Sequence, residues 1–236
     1  MTSLIYLTHA YEREFDATVV ESTDTTVALD RTVFYPGGGG QPSDKGELHT
    51  AGGIRRVMAV HKAEGHLWHE LDGPAPKTGE RVRGTLDWER RHQLMRTHTA
   101  MHILCGVIWR DYAASVTGGN MEPLRGRMDF EFATMRQELV HEIEEKINRE
   151  VSAARPIHVK VLPREEAFRI PDLIRTKINL LPEGIQDVRI VEIEGLDLQA
   201  DGGTHVANTR DVGLIRVVDY KSKGAINKRI VVALEP

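Results

Sequence analysis

Two histidines four residues apart, His98 and His102 in RTHTAMHIL, and a third, His205 in the distant segment DGGTHVANT, are the residues of this chain whose types and spacing suit shared chemistry. On an α-helix, positions i and i+4 lie on one face about a turn apart, so both imidazoles can address one object. Helical histidine pairs recur in zinc sites, where a distant segment supplies the remaining ligands. The segment Asp201 to His205 offers one: its two glycines permit close backbone approach, and it presents a carboxylate beside an imidazole. Three histidines and Asp201 form a credible zinc set, since zinc takes nitrogen and oxygen ligands in tetrahedral geometry. Two plainer readings stand beside it. The helix can carry one packed and one solvated histidine, and DGGTH can be an ordinary Gly-Gly loop after the strand DVRIVEI.

These side chains need elements to hold them. From Trp88 to about Asp111 the sequence reads as a helix, with Asp87 as N-cap and Leu94, Met95, Met101, Leu104, Cys105 and Ile108 at helical spacing. Before it, Phe15 to Asp87 reads as β-structure. DATVVES and TVALDRTVFY form one hairpin around Thr23-Asp24, RRVMAVHKA and HLWHELD another around Glu64-Gly65, and RVRGTLDW ends the run. Short strands with Gly-rich turns suggest a small β-barrel or sandwich. After it come the strand RMDFEFA, a helix opened by a capping box Thr134-x-x-Gln137, the strand IHVKVLP, a short helix EEAFRI, and the strands DVRIVEI, GLIRVVDYKS and KRIVVAL. The expected fold class is α+β, with a small β-barrel domain over residues 1–88 and a two-layer α/β domain with an antiparallel sheet over residues 89–236.

The bulk composition narrows the function classes. With 236 residues, 40% hydrophobic and 28% charged, the chain can bury a sizeable core as a soluble globular protein. No apolar run suggests a signal peptide or membrane span, and the single cysteine, Cys105, suits a reducing cytoplasm. A net charge of −4 argues against indiscriminate nucleic-acid binding. Two local basic clusters, Arg90–Arg91–Arg96 and Lys221–Lys223–Lys228–Arg229, read as solvated surface charge.

Four motifs in order carry a resemblance to a known family: FYPGGGGQPSDKG, HTAMH, GGTHVANTRDVG and YKSKGAINKRIVVAL. Together they resemble the editing domain of alanyl-tRNA synthetases, and more closely the free-standing AlaX proteins of medium length. The resemblance spans nearly the whole chain. It implies a trans-editing hydrolase that deacylates alanine tRNA mischarged with serine or glycine, with one Zn2+ per chain. The implied partner is the acceptor end of that tRNA, with no nucleotide cofactor and no membrane. The chain is expected to lack both the C-terminal extension of longer relatives and any adenylate-forming module. A separate hydrolytic site is useful because a pocket sized for alanine discriminates against such small differences by only about 10–200-fold.

The resemblance makes His98, His102 and His205 the metal ligands, and these three with Thr117 the catalytic residues. Where the family usually has a cysteine, Asp201 stands, either ligating through oxygen or lying behind a water. Cys105 reads as a core thiol. Thr117 in SVTGGNM matches the family position that contacts the small side chain, where its hydroxyl can bond serine's; a turn residue before Gly118-Gly119 is the alternative. The run Gly37–Gly40 lacks the P-loop pattern. It reads as a close-approach loop between domains, with Gly38, Gly39 and Gln41 helping to accept substrate, and with Gln41 and Asp44 fixing the loop; a plain tight turn accounts for it equally. Bound zinc would either activate water or the ester carbonyl, or chiefly anchor the substrate's amino group. A zinc protease is excluded because Thr99 stands where HExxH needs its Glu. A structural-zinc tRNA-binding module without catalysis is the rival reading.

Overall fold

The computed structural model describes residues 2–132, 136–176, 184–224 and 226–236. It contains two compact units, Met1–Gln93 and Leu94–Pro236. The division falls inside the first long helix, whereas the sequence reading placed it just before that helix.

The first unit comprises strands β1 (Ser3–Leu4), β2 (Glu14–Ser22), β3 (Thr26–Leu29), β4 (Arg31–Thr32), β5 (Gly46–Thr50), β6 (Gly53–Ala63), β7 (His66–Leu71) and β8 (Arg81–Leu86). Six of them close an antiparallel barrel in the order β2-β3-β7-β6-β5-β8, which leaves no free sheet edge. Both expected hairpins are present. The β6–β7 turn works because Glu64 and Gly65 both adopt positive φ, 52° and 79°, as a two-residue hairpin turn demands. Strand β5 escaped the sequence reading because only Leu48 in GELHT is apolar, although its side chain is fully buried. The segment TVALDRTVFY breaks at Asp30 instead of running on as one strand.

Alternate residues of each strand fill the barrel, among them Phe15, Ala17 and Val19 from β2 and Val82 and Leu86 from β8. Gly84 pairs with Phe15 across β2 and β8. A Cβ on Gly84 would lie 2.2 Å from the Phe15 ring, so the missing side chain is what admits the ring. The motif YPGGGGQPSD forms a tight loop in this unit. Gly37 to Gly40 all have positive φ, and Gly38 and Gln41 exchange backbone hydrogen bonds of 3.0 and 2.9 Å. Asp44 fixes the loop as expected, its carboxylate accepting from Tyr35 N at 2.6 Å and its own N–H donating to Tyr35 O. That carboxylate is paired with Arg91, which is wholly buried and also donates to Ala10 O. Arg91 is therefore an interior ion-pair partner, not the solvated charge expected from sequence.

The second unit holds most of α1 (Trp88–Tyr112), then β9 (Val116–Glu122), β10 (Arg125–Glu131), α2 (Gln137–Ser152), β11 (Ile157–Pro163), α3 (Arg164–Ala167), β12 (Asp187–Ile193), β13 (Asp197–Ala200), β14 (Ile215–Ser222) and β15 (Asn227–Leu234). Asp87 caps α1 as expected, its Oδ1 accepting from Arg90 N at 3.1 Å. The antiparallel β-structure is divided into a four-stranded sheet, β14-β15-β10-β9, and a three-stranded sheet, β11-β12-β13. The helix α2 buries Val140, Ile143, Ile147 and Val151, and Asn148 stitches it to Ile215 of β14 through two bonds of 2.8 and 3.0 Å. Thr134 of the expected capping box lies outside the described residues; α2 begins at Gln137, with Arg136 in the N-cap position.

Candidate metal centre

Helix α1 is buried on every side from Thr97 to Ile108. Its polar residues there, Thr97, His98, Thr99, His102 and Cys105, are thus interior groups that require partners. The second segment arrives through strand pairing. β13 runs antiparallel to β12, which returns Asp201 alongside Arg189: Asp201 N donates to Arg189 O at 3.1 Å, and Arg189 Nη1 to Asp201 O at 2.8 Å. Beyond it, Gly203 N donates to Asp201 Oδ2 at 2.8 Å, a side-chain-closed turn that carries the chain on to His205. Gly202 is exposed with open space where a Cβ would project, so this bond, and not close backbone approach at Gly202, makes the turn.

The two segments bring the expected residues together. One ligand-type atom from each of His98, His102, Asp201 and His205 can be chosen so that all four lie within 4.8 Å of one another. His205 Nε2 is 3.0 Å from Asp201 Oδ2, and His98 Nε2 is 3.6 Å from Asp201 Oδ1. The His98 ring centroid lies 5.1 Å from that of His102 and 4.3 Å from that of His205. The imidazoles are 4–6% exposed, and Asp201 is the most accessible member.

The charge states suit a cation. Burial pushes His98 well below its usual value and His205 down to about 4, against the opposing pull of Asp201. Burial also lowers His102, but the bond and charge of Asp197 outweigh it and leave that group raised. For Asp201, burial acts upward, yet the imidazoles facing it hold the carboxyl well below the usual range. His98 and His205 are thus the deprotonated donors that metal binding requires, whereas His102, held toward its protonated form by Asp197, must give up a proton to ligate.

Sequence reasoning missed the groups behind these donors. His102 Nδ1 donates to Asp197 Oδ2 at 2.9 Å, and Gln199 Nε2 donates to the same oxygen at 2.7 Å. His205 Nδ1 meets Thr99 Oγ1 at 3.1 Å, and that hydroxyl also accepts from Val206 N. The signal was present as the alternation Asp197-x-Gln199-x-Asp201, since residues two apart on a strand share a face.

The other expected residues fall as follows. Cys105 is buried, its thiol pushed well above the usual value by burial, which fits a core thiol rather than a thiolate ligand. Thr117 is exposed on β9 and donates to Asn227 Oδ1 at 2.9 Å. It lies in a strand, not before a turn: Gly118 and Gly119 pair with Asp129 and Met128, because cross-strand bonding overrides the local preference of glycine. Gly38, Gly39 and Gln41 lie in the first unit. In the C-terminal cluster, Lys228 is buried and donates to Gly224 O, and Arg229 grips Asp129 with two bonds of 2.7 and 2.8 Å. A 630 Å³ cleft in the first unit, lined by His9, Glu12, Phe15 and Arg83, involves none of the expected site residues.

The donor set has the residue types and the proximity that a zinc ion needs. Adjacent ligands of a tetrahedral zinc with bonds of about 2.0–2.1 Å should stand roughly 3.3 Å apart. The contacts of Asp201 Oδ2 with His205 and of Oδ1 with His98, 3.0 and 3.6 Å, lie near that value, and the four donor atoms together lie within 4.8 Å of one another. The cluster can hold a metal ion.

Residues 2–90 match the family described as tRNA synthetases class II (A), and residues 188–231 the threonyl and alanyl tRNA synthetase second additional domain. The chain is 37% identical to the alanyl-tRNA editing protein AlaX-M of Methanosarcina barkeri over 241 aligned residues, covering 99% of each chain. It is 38% identical to AlaX-M of Saccharolobus solfataricus, covering all of both. It is also 37% identical to the alanine–tRNA ligase of Ignicoccus hospitalis, covering 89% of this chain but 23% of the ligase.

Proposed function

The chain belongs to the AlaX-M family of alanyl-tRNA editing proteins, and from that premise we propose that it hydrolyses the ester joining serine or glycine to wrongly charged alanine tRNA, using one zinc ion. The observation that carries the proposal is the convergence of His98, His102 and His205 with Asp201 from two distant segments. These four residues would hold the ion, and no helix of the described chain is long and apolar enough to cross a membrane. We place the activity in the cytoplasm. When bound, zinc would lower the pKa of a water toward about 7 or polarise the ester carbonyl.

The chain's own residues have separate tasks. The hydrolytic region is residues 89–236. His98 and His205 arrive neutral, so no proton need leave them before a cation binds. Asp201 brings the negative charge that a purely imidazole site would lack, and it is the most exposed of the four. Thr117 is assigned to the small side chain of the substrate, where its hydroxyl can pair with that of serine. Gly38, Gly39 and Gln41 are assigned to acceptance of the tRNA end, in a loop closed by the Gly38–Gln41 backbone bonds and held at Tyr35 by Asp44.

One observation favours a second reading. Four protein donors are available, and structural zinc sites fill all four positions with protein ligands. Incubation with seryl-, glycyl- and alanyl-tRNA(Ala) separates the two. Faster loss of the serine or glycine ester than of the alanine ester supports editing; background decay of all three, with zinc bound, supports a structural site.

A further inference from the structure

Asp197 is a buried carboxylate with no Lys or Arg at hydrogen-bonding distance among the described residues; His102 is the titratable group bonded to it. It is 3% exposed, and its Oδ1 has no hydrogen-bond partner among the described residues. Among the described residues Arg175 Nε stands 3.8 Å from that oxygen, and this guanidinium lies against the face of Trp109. A carboxylate taken out of water with incomplete compensation destabilises a fold, so stability gives little reason for it. Its other oxygen is fully engaged, by His102 Nδ1 at 2.9 Å and Gln199 Nε2 at 2.7 Å.

The packing makes deliberate room for this contact. Gly106 follows His102 by one helical turn, and a Cβ there would lie 2.9 Å from Leu196 Cγ and 3.0 Å from Asp197 Cβ. The absence of that side chain lets the turn before β13 press against α1 directly beside the imidazole. The contrast with His205 is informative. Its outer partner, Thr99 Oγ1, is a hydroxyl that can donate or accept, so it permits either ring tautomer. A carboxylate only accepts. The proton of a neutral His102 must therefore sit on Nδ1, leaving Nε2 with its lone pair free.

We propose that Asp197 is a positioning residue that presets His102 in the Nε2-ligating tautomer before any metal arrives, with Gln199 and the gap at Gly106 holding the carboxylate in place. This rests on the metal-site reading above. Outer carboxylates of this kind typically change metal affinity by 10–100-fold when replaced. In Asp197→Asn the amide can donate as well as accept, so His102 loses its fixed tautomer while side-chain shape is kept.

The test uses the full chain and zinc itself. Zinc affinity is measured by chelator competition, fold by circular dichroism, and the His102 ring by ¹⁵N shifts in the metal-free protein at pH 8, assigned through His102→Gln. The expected result is an Nδ1–H ring in the parent, and in Asp197→Asn a mixed tautomer with 10–100-fold weaker zinc binding and an unchanged fold. Parent-like zinc affinity in a folded Asp197→Asn rejects the proposal and leaves the metal reading intact. A parent that binds no zinc rejects both. Should Asp197→Asn unfold, the parent spectrum still decides, since an Nε2–H ring there overturns the proposal without any variant.

Discussion

His69 in the barrel should make this protein lose stability in mild acid. Its ring is fully buried, with Nε2 2.9 Å from Thr32 Oγ1, Nδ1 3.2 Å from Val27 O, and Phe34 packed edge-on at 5.4 Å between ring centroids. Burial pushes it from 6.5 down to about 4, more than its bond to Val27 raises it. A histidine whose folded value is depressed stays neutral while the unfolded chain takes up a proton. Between pH 6.5 and 4 the unfolded state therefore binds more protons, and stability falls as pH falls. The whole window spans about 3 kcal/mol, of which about 2 kcal/mol is already lost at pH 5. For a chain of this size that corresponds to roughly 4–8 °C in melting temperature. The assay is urea unfolding at pH 7.5 and pH 5 in the presence of chelator, comparing the parent with His69→Asn, which keeps a donor toward Val27. Other buried histidines titrate equally in both proteins, so the difference between the two pH dependences isolates His69. Parallel curves, with no difference beyond about 0.5 kcal/mol, would refute the reasoning.

Three further outcomes are expected. Gly84→Ala should destabilise the barrel by about 1–3 kcal/mol through overpacking against Phe15, and adding Phe15→Leu should recover part of it; equal unfolding midpoints for parent and single variant would contradict this. Arg91→Met should cost about 3–5 kcal/mol in urea unfolding because Asp44 keeps its buried charge, and adding Asp44→Asn should restore a share while Tyr35 N retains an acceptor. Zinc at a hundredfold excess over Kd should raise the unfolding free energy by about 2.7 kcal/mol, and a His98→Ala, His102→Ala variant should show no such rise in a thermal melt.

The residues of the candidate metal cluster were readable because each segment announces itself locally. His98 and His102 stand at helical spacing inside an uninterrupted apolar pattern, and DGGTH punctuates the end of a strand run. The hairpin turn at Glu64-Gly65 and the capping of α1 by Asp87 were legible for the same reason, since turn and cap chemistry depends on a few neighbouring residues. Tertiary structure decided the rest. That α1 is buried on all sides from Thr97 to Ile108, that Arg91 is an interior ion-pair partner, and that Thr117-Gly118-Gly119 pair as a strand depend on neighbours far away in sequence. Asp197, Gln199 and Asp201 reach the imidazoles only because β13 folds back on β12 and Gly106 leaves space for it. Periodicity and turn chemistry act over a few residues, whereas desolvation and strand pairing are set by which distant segments meet; the first are written along the chain, and the second exist only once it has folded.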